Sequence, residues 1–355
     1  MDIEAGGFHE KLDQDLRPVV RDGKRGMVQA RQIYTFAQSG VIGALDAGTD
    51  TAAVGRDFLL AHFAHPDGGW RFRVSRDGRP ADDTRDLYTQ AFVLFALSWL
   101  HRTGDRDAHA HANRTLAFLD DEMSHPQGGY REAVGGTPKS SHGERRQNPH
   151  MHLFEALLDW HEATGDRIWL DRSRAMAELL DRRFVVDGSL REFFDDGLRP
   201  APGPTGQHVE PGHHYEWVWL LHRFRALGGG SDFDALALAL YDFAERHGID
   251  AEKGEVLDAV TADGAPLQRG RRLWPQTEAI KAHIARFEAT GDDAFIDRMT
   301  RQAGAFHKAH IAGAPTGAWR EHLDAEGKLL LSGLPASSLY HVTVAGSEIR
   351  RLSPP

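Results

Sequence analysis

EPGHHYEWVWLLHRF, residues 210–224, sets two histidines and a carboxylate in the first turns of an otherwise apolar helix. Pro211 suits a first helical turn, where its missing N–H had no intrahelical partner to lose. His213 and Glu216 are three apart and share a face, which Trp217, four after His213, walls with an aromatic ring. VWLLHRF is too apolar for a solvated surface. The stretch therefore predicts a buried helix with ionisable groups at its mouth, which cost free energy unless they are paired or used.

Segments of this kind recur. They start near Gln29, Tyr88, Pro149, Gly212, Pro275 and Ala336, at intervals of roughly sixty residues, the mark of an internal repeat. Each is apolar round most of its circumference, as buried helices are. Amphipathic stretches such as TAAVGRDFLLAHFAH (51–65) and DALALALYDFAERHG (234–248) lie between them and are expected as outer helices. TGD at 103–105, 164–166 and 290–292, with GGGSD at 228–232 in the equivalent place, predicts a glycine stop and an acidic N-cap at each tight joint. Longer connections such as HPDGGWRFRVSRDGRP (65–80) and GAPTGAWREHLDAEGKL (313–329) have the Gly, Asp and aromatic alternation of short hairpins. Six inner and about six outer helices in alternation close most economically as an all-α (α/α)6 barrel, a single domain over 1–355 with β-hairpins in its long loops. The inner helices then start at one mouth, where they gather Arg31, Tyr88, Asn148, His150, His152, His213, His214, Glu216, Trp274, Gln276, Glu278 and His341.

Bulk properties exclude several classes. With 41% hydrophobic and 26% charged residues over 355 positions the chain is ordinary globular material. It has no cysteine, so disulfides, thiolate catalysis and Cys-ligated zinc are ruled out. A net charge of −10 argues against a nucleic-acid partner, because phosphate binding needs a concentrated basic face. RGRR at 269–272 is the one dense basic cluster and reads as a solvated loop. No window approaches the ~18–20 apolar residues that span a bilayer, and the start has no basic stretch leading into an apolar run. The expectation is a cytoplasmic protein with no membrane partner, for which a homodimer is one assembly considered.

A pocket rich in His, Arg, Trp, Tyr and carboxylate suits a polar ring such as a sugar, with aromatic faces on its C–H surfaces and polar groups on its hydroxyls. Removing a proton α to a carbonyl needs a base of near-neutral pKa and donors for the enediolate oxygens. His213 and His341 are the candidate bases, and Arg31 is the candidate electrophile.

QARQIYTFA around Arg31, DLYTQAFVL (86–94), NPHMHLFEALL (148–158), EPGHHYEW (210–217), LWPQTEAIKA (273–282) and LYHV (339–342) resemble, in order and across the whole chain, the motifs of the N-acylglucosamine 2-epimerase superfamily. That superfamily includes cellobiose 2-epimerases, mannose isomerases and sulfoquinovose isomerases. The resemblance implies that His213 and His341 are the acid/base pair and that Glu216 orients or polarises His213. It also implies that Arg31, Tyr88, Asn148, His152 and Trp274 bind the sugar; Glu278 is counted with them. Neither cofactor nor metal is implied. NPHMHLFEA and the doubled histidine of PGHHYEW look closer to the mannose and sulfoquinovose isomerase branch, which points to a D-mannose and D-fructose isomerase. The same two histidines would serve a 2-epimerase.

Other readings compete. His150 and His152 with His213 and His214 have the residue types of a zinc or manganese site, although residues two apart on a helix point to different sides. DDTRD (82–86) has the pattern of a magnesium-binding box but follows the turn DGRP, as a solvated acidic loop does. Glu216 and Glu278 could form the carboxylate pair of a glycoside hydrolase. A non-catalytic sugar- or protein-binding toroid is the remaining class.

Overall fold

The computed structural model describes residues 1–20, 23–136 and 145–352, and its helices alternate as the repeat predicts. Inner and outer partners come in pairs: α1 (Gly26–Val41) with α2 (Gly48–Phe63), α3 (Leu87–Arg102) with α4 (Ala108–Phe118), and α5 (Gln147–Thr164) with α6 (Arg167–Leu179). Then follow α7 (Pro211–Phe224) with α8 (Asp234–His247), α9 (Leu273–Thr290) with α10 (Ala294–Phe306), and finally α11 (Leu339–Leu352). Each odd-numbered helix packs on the next, and α11 returns to α1, so the inner ring is closed. Inner helices are buried nearly all round, as in α3, where every residue from Thr89 to Leu100 is buried; outer helices bury one face. Trp160 of α5 stacks on Trp169 of α6 with centroids 5.1 Å apart, an aromatic pair worth about 0.5–1.5 kcal/mol beyond its buried area.

The joints follow the expected chemistry. Gly165 and Gly291 end α5 and α9 in the left-handed region, at φ 72° and 70°, a conformation open to glycine because it has no Cβ. Asp105, Asp166 and Asp292 accept backbone N–H groups of the following helix. GGGSD differs, since its Asp232 pairs with Arg174 instead.

The expected count of about six outer helices is corrected to five, because α11 has no outer partner among the described residues. The first residues of the chain supply the missing connection. At every repeat, the two residues leading into an inner helix pair antiparallel with the hairpin of the following long connection: 24–25 with 73–74, 85–86 with 133–134, 145–146 with 193–194, 208–209 with 260–261 and 271–272 with 322–323. The sixth pair, 334–335, closes on Lys11–Leu12.

A second device repeats. In the first turns of α1, α3 and α9, the amides of Gln29, Gln90 and Gln276 accept from the N–H and donate to the C=O of Phe8, Trp70 and Val256 in the connections. His150 and His214 take this place in α5 and α7, their Nε2 accepting from the N–H of Tyr130 and Leu190. Five buried side chains thus clamp the connections onto one end of the barrel.

Candidate active site

At that end a cavity of about 240 Å³ is lined by residues from all six inner helices and the segments leading into them. Arg31, Tyr88, Asn148, His152, His213, Glu216, Trp274 and His341 all face it. These are the expected site residues with one exception: Glu278 is fully buried behind His341. A larger cavity, about 1100 Å³, opens at the opposite end of the barrel. Four of its charged groups are engaged with one another, Arg223 with the carboxylates of Asp159 and Glu162 and Arg102 with the Glu162 carboxylate and the Asp159 carbonyl, and its walls hold none of the expected residues.

His213 and His341 flank Trp274, with ring centroids 4.8 and 5.5 Å from it. Each is anchored through Nδ1 by a carboxylate, His213 by Glu192 at 2.9 Å and His341 by Glu278 at 2.8 Å. This corrects two expectations. The partner of His213 is Glu192, from the connection ahead of α7, and Glu216 is not bonded to it. Sharing a helix face does not bring Glu216 to Nδ1, which turns outward to the neighbouring hairpin. Glu278 is bonded to the imidazole of His341 and does not line the cavity.

Electrostatics separate the two imidazoles. Burial opposes the charged form of His213, but Glu192 and Glu210 outweigh it and push the group up to about 9, so it is an imidazolium at neutral pH. Burial, Arg31 and Lys281 together hold His341 well below its ordinary value, so it is neutral. His152 is also held neutral, at about 4, by burial against the opposing pull of Glu155, to which its Nδ1 donates at 3.1 Å. Neither oxygen of Glu216 has a hydrogen-bond partner among the described residues. Burial first and the nearby Glu278 second raise this carboxyl well above the usual range, so it is a neutral acid.

His152, Glu155 and Glu216, and likewise Glu216, Glu278 and His341, have donor atoms within 4.8 Å of one another. The spacing alone would suit a divalent cation. Lys281 Nζ, 2.5 Å from Glu278, already sets a cation beside the second group, and in the first His152 turns its Nδ1 to Glu155. The four-histidine metal set weighed above is not assembled. His150 and His214 turn to the connections as clamps, each held near 3 mainly by burial, while His152 and His213 turn to the pocket. In DDTRD, Asp83 pairs with Arg71 and Asp82 bonds the Thr84 N–H, both outside the cavity.

RGRR is not the solvated loop expected. Arg271 is buried against Glu255, and Arg272 faces the cavity, bound to Glu210 and Asp258. Glu192, Glu210, Arg272, Glu321 and Lys281 were not singled out from the sequence, yet a signal for several exists. Aligning the connections on the five clamped residues, with Trp319 in the equivalent place of the last one, gives Phe8-x-Glu10, Trp70-x-Phe72, Tyr130-x-Glu132, Leu190-x-Glu192, Val256-x-Asp258 and Trp319-x-Glu321. Five of these six positions are acidic, and each acid reaches the next inner helix: Glu10 to Arg25, Glu132 to Arg146, Glu192 to His213, Asp258 to Arg272 and Glu321 to Ser338.

The profile of the N-acylglucosamine 2-epimerase family matches residues 6–345. The chain is 35% identical to a mannose-6-phosphate isomerase of Rhizobium meliloti, over 98% of this chain and 91% of that one. It is 27% identical to the rat N-acylglucosamine 2-epimerase, over 99% and 89%. A crystal structure of D-mannose isomerase superposes with a TM-score of 0.91 at 23% identity, covering 99% of this chain and 93% of that one.

Proposed function

Because the chain belongs to the N-acylglucosamine 2-epimerase family and is an enzyme of the sugar epimerase and isomerase type, we propose that it interconverts D-mannose and D-fructose through a cis-enediolate. His213, the imidazolium, protonates the ring oxygen as the pyranose opens and recovers its charge from the proton that leaves the anomeric O1–H. His341, the neutral imidazole, then removes the C2 proton and returns it to C1 on the same face, while O2 passes its proton to O1. Arg31, whose guanidinium is held by Tyr88 at 2.7 Å and the Ser337 carbonyl at 3.1 Å, stabilises the enediolate oxygens. His152, Asn148, Trp274 and the neutral Glu216 hold the open chain.

The observation that carries this reading is the geometry of two imidazoles that flank Trp274 at one cavity, each anchored through Nδ1 by its own carboxylate. One acid and one base would also serve C2 inversion from opposite faces, and the isomerase outcome is favoured by the 35% identical relative, which is named as an isomerase. The pocket also favours an unphosphorylated sugar. The Rhizobium relative is named for a sugar phosphate, but the arginines around this mouth are engaged: Arg272 by Glu210 and Asp258, Arg146 by Glu132 and Arg25 by Glu10.

Proton NMR of D-mannose, D-mannose 6-phosphate, D-glucose and N-acetyl-D-mannosamine incubated with the enzyme in heavy water tests it. Fructose with incomplete deuteration at C1 is expected from mannose and not from the phosphate. Deuterated glucose accumulating from mannose without fructose would establish C2 epimerisation instead.

A further inference from the structure

Beneath the pocket lies a layer of ionisable groups sealed from solvent. Glu155, Glu216, Glu278 and Lys281 are each fully buried. Lys281 is one turn along α9 from Glu278, its Nζ 2.5 Å from Oε2 and 3.9 Å from the centroid of the Trp219 ring. The other oxygen of Glu278 takes the Nδ1 proton of His341 at 2.8 Å. Burying an ammonium carries a large desolvation cost, which good geometry with a partner must offset.

We propose that Lys281 is a positioning residue for the proton transfer: its ammonium keeps Glu278 ionised as acceptor of the His341 Nδ1–H, leaving Nε2 of His341 free to act as the base. This rests on His341 being the base of the proposed reaction. Burial raises the Glu278 carboxyl, and Lys281 is the first group opposing that rise. The groups facing this layer are Arg31 and Tyr34 on α1, Tyr88 on α3, His152 and Glu155 on α5, His213 and Glu216 on α7, and Tyr340 on α11. The cations among them, Arg31 and the His213 imidazolium, are engaged elsewhere. Without the ammonium, Glu278 takes up a proton and donates its O–H to Nδ1. The imidazole proton then sits on Nε2, and no lone pair faces C2. Loss of the nearby ammonium also makes the imidazole itself more basic, so both effects push the active form toward higher pH.

The test is the pH dependence of kcat/KM for Lys281→Met and Lys281→Arg, with Lys281→Gln replacing the Met variant should that not fold. In the uncharged variant the acid limb is expected to move up by about 1–3 pH units, the usual influence of an adjacent charge. The Arg variant is expected to keep the wild-type limb even if slower. An unmoved limb with a uniform loss at all pH values, or the same shift in the Arg variant, would overturn the proposal. Nitrogen-15 shifts of His341 report the tautomer with no substrate present: Nε2 unprotonated in the wild type at neutral pH and protonated in the uncharged variant. That readout stands apart from which sugar is turned over, so failure of the isomerase reading and failure of the Lys281 role are distinguishable.

Discussion

Glu192 makes His213 an acid. Its carboxylate lies 2.9 Å from Nδ1 and lifts the imidazole against its burial. In the proposed reaction the protonated form is the active one, so activity is expected to fall as pH rises through about 9. Glu192→Gln removes the charge but keeps an acceptor, so the fall is expected at lower pH, by about 1–3 units. A base limb unchanged in that variant would assign the acid elsewhere. The residue scale is also where the sequence was least readable. His213, His341 and the sugar-facing groups lie at helix starts, where local motifs reveal them. Glu192 and Lys281 gain their roles from neighbours on other segments: Glu192 is 21 residues from His213, and Lys281 is one cation inside an apolar run.

Helices and joints are legible because their signals are local, in period 3.6, in glycine stops and in acidic caps. The clamps are not, because each joins a helix to a connection some twenty residues away, and two residue types do the same work. That interchange makes a prediction. Gln90→Leu orphans the buried N–H and C=O of Trp70, at about 1–3 kcal/mol for each group, read from the urea midpoint. Gln90→His, which restores an acceptor for the N–H, is expected to cost less; equal losses would show that the amide is not the clamp. The converse exchange reads out in pH. His214 is held neutral in the fold at about 3, below the value near 6.5 of an unfolded histidine. The unfolded chain therefore binds the extra proton, and stability drains away as pH falls from about 6.5 toward 3. His214→Gln lacks that proton, so its melting temperature relative to the wild type is expected to rise progressively below pH 6.5. A pH-independent difference would show that His214 is not buried neutral.

At the scale of the molecule, the repeat announces a ring, but how the ring closes is hidden, because the closing contact joins the two ends of the sequence. Lys11–Leu12 pairs with Leu334–Pro335, the Ala336 N–H donates to the Glu10 carbonyl, and Gln32 bonds the Ala336 carbonyl. Deleting residues 1–12 is expected to lower the unfolding midpoint and turnover together, since the same seam holds Arg31 to Ser337. Unimpaired turnover would mean that α1 and α11 close the barrel unaided. The seam also sets an order of events in the cell. Arg31 leaves the ribosome 306 residues ahead of Ser337, which at ordinary rates of synthesis is roughly 15–60 s. Through that interval the nascent barrel is an open coil of hairpins with Arg31 in place and the proposed base, His341, not yet made. Every molecule therefore becomes an enzyme only when its newest residues find its oldest.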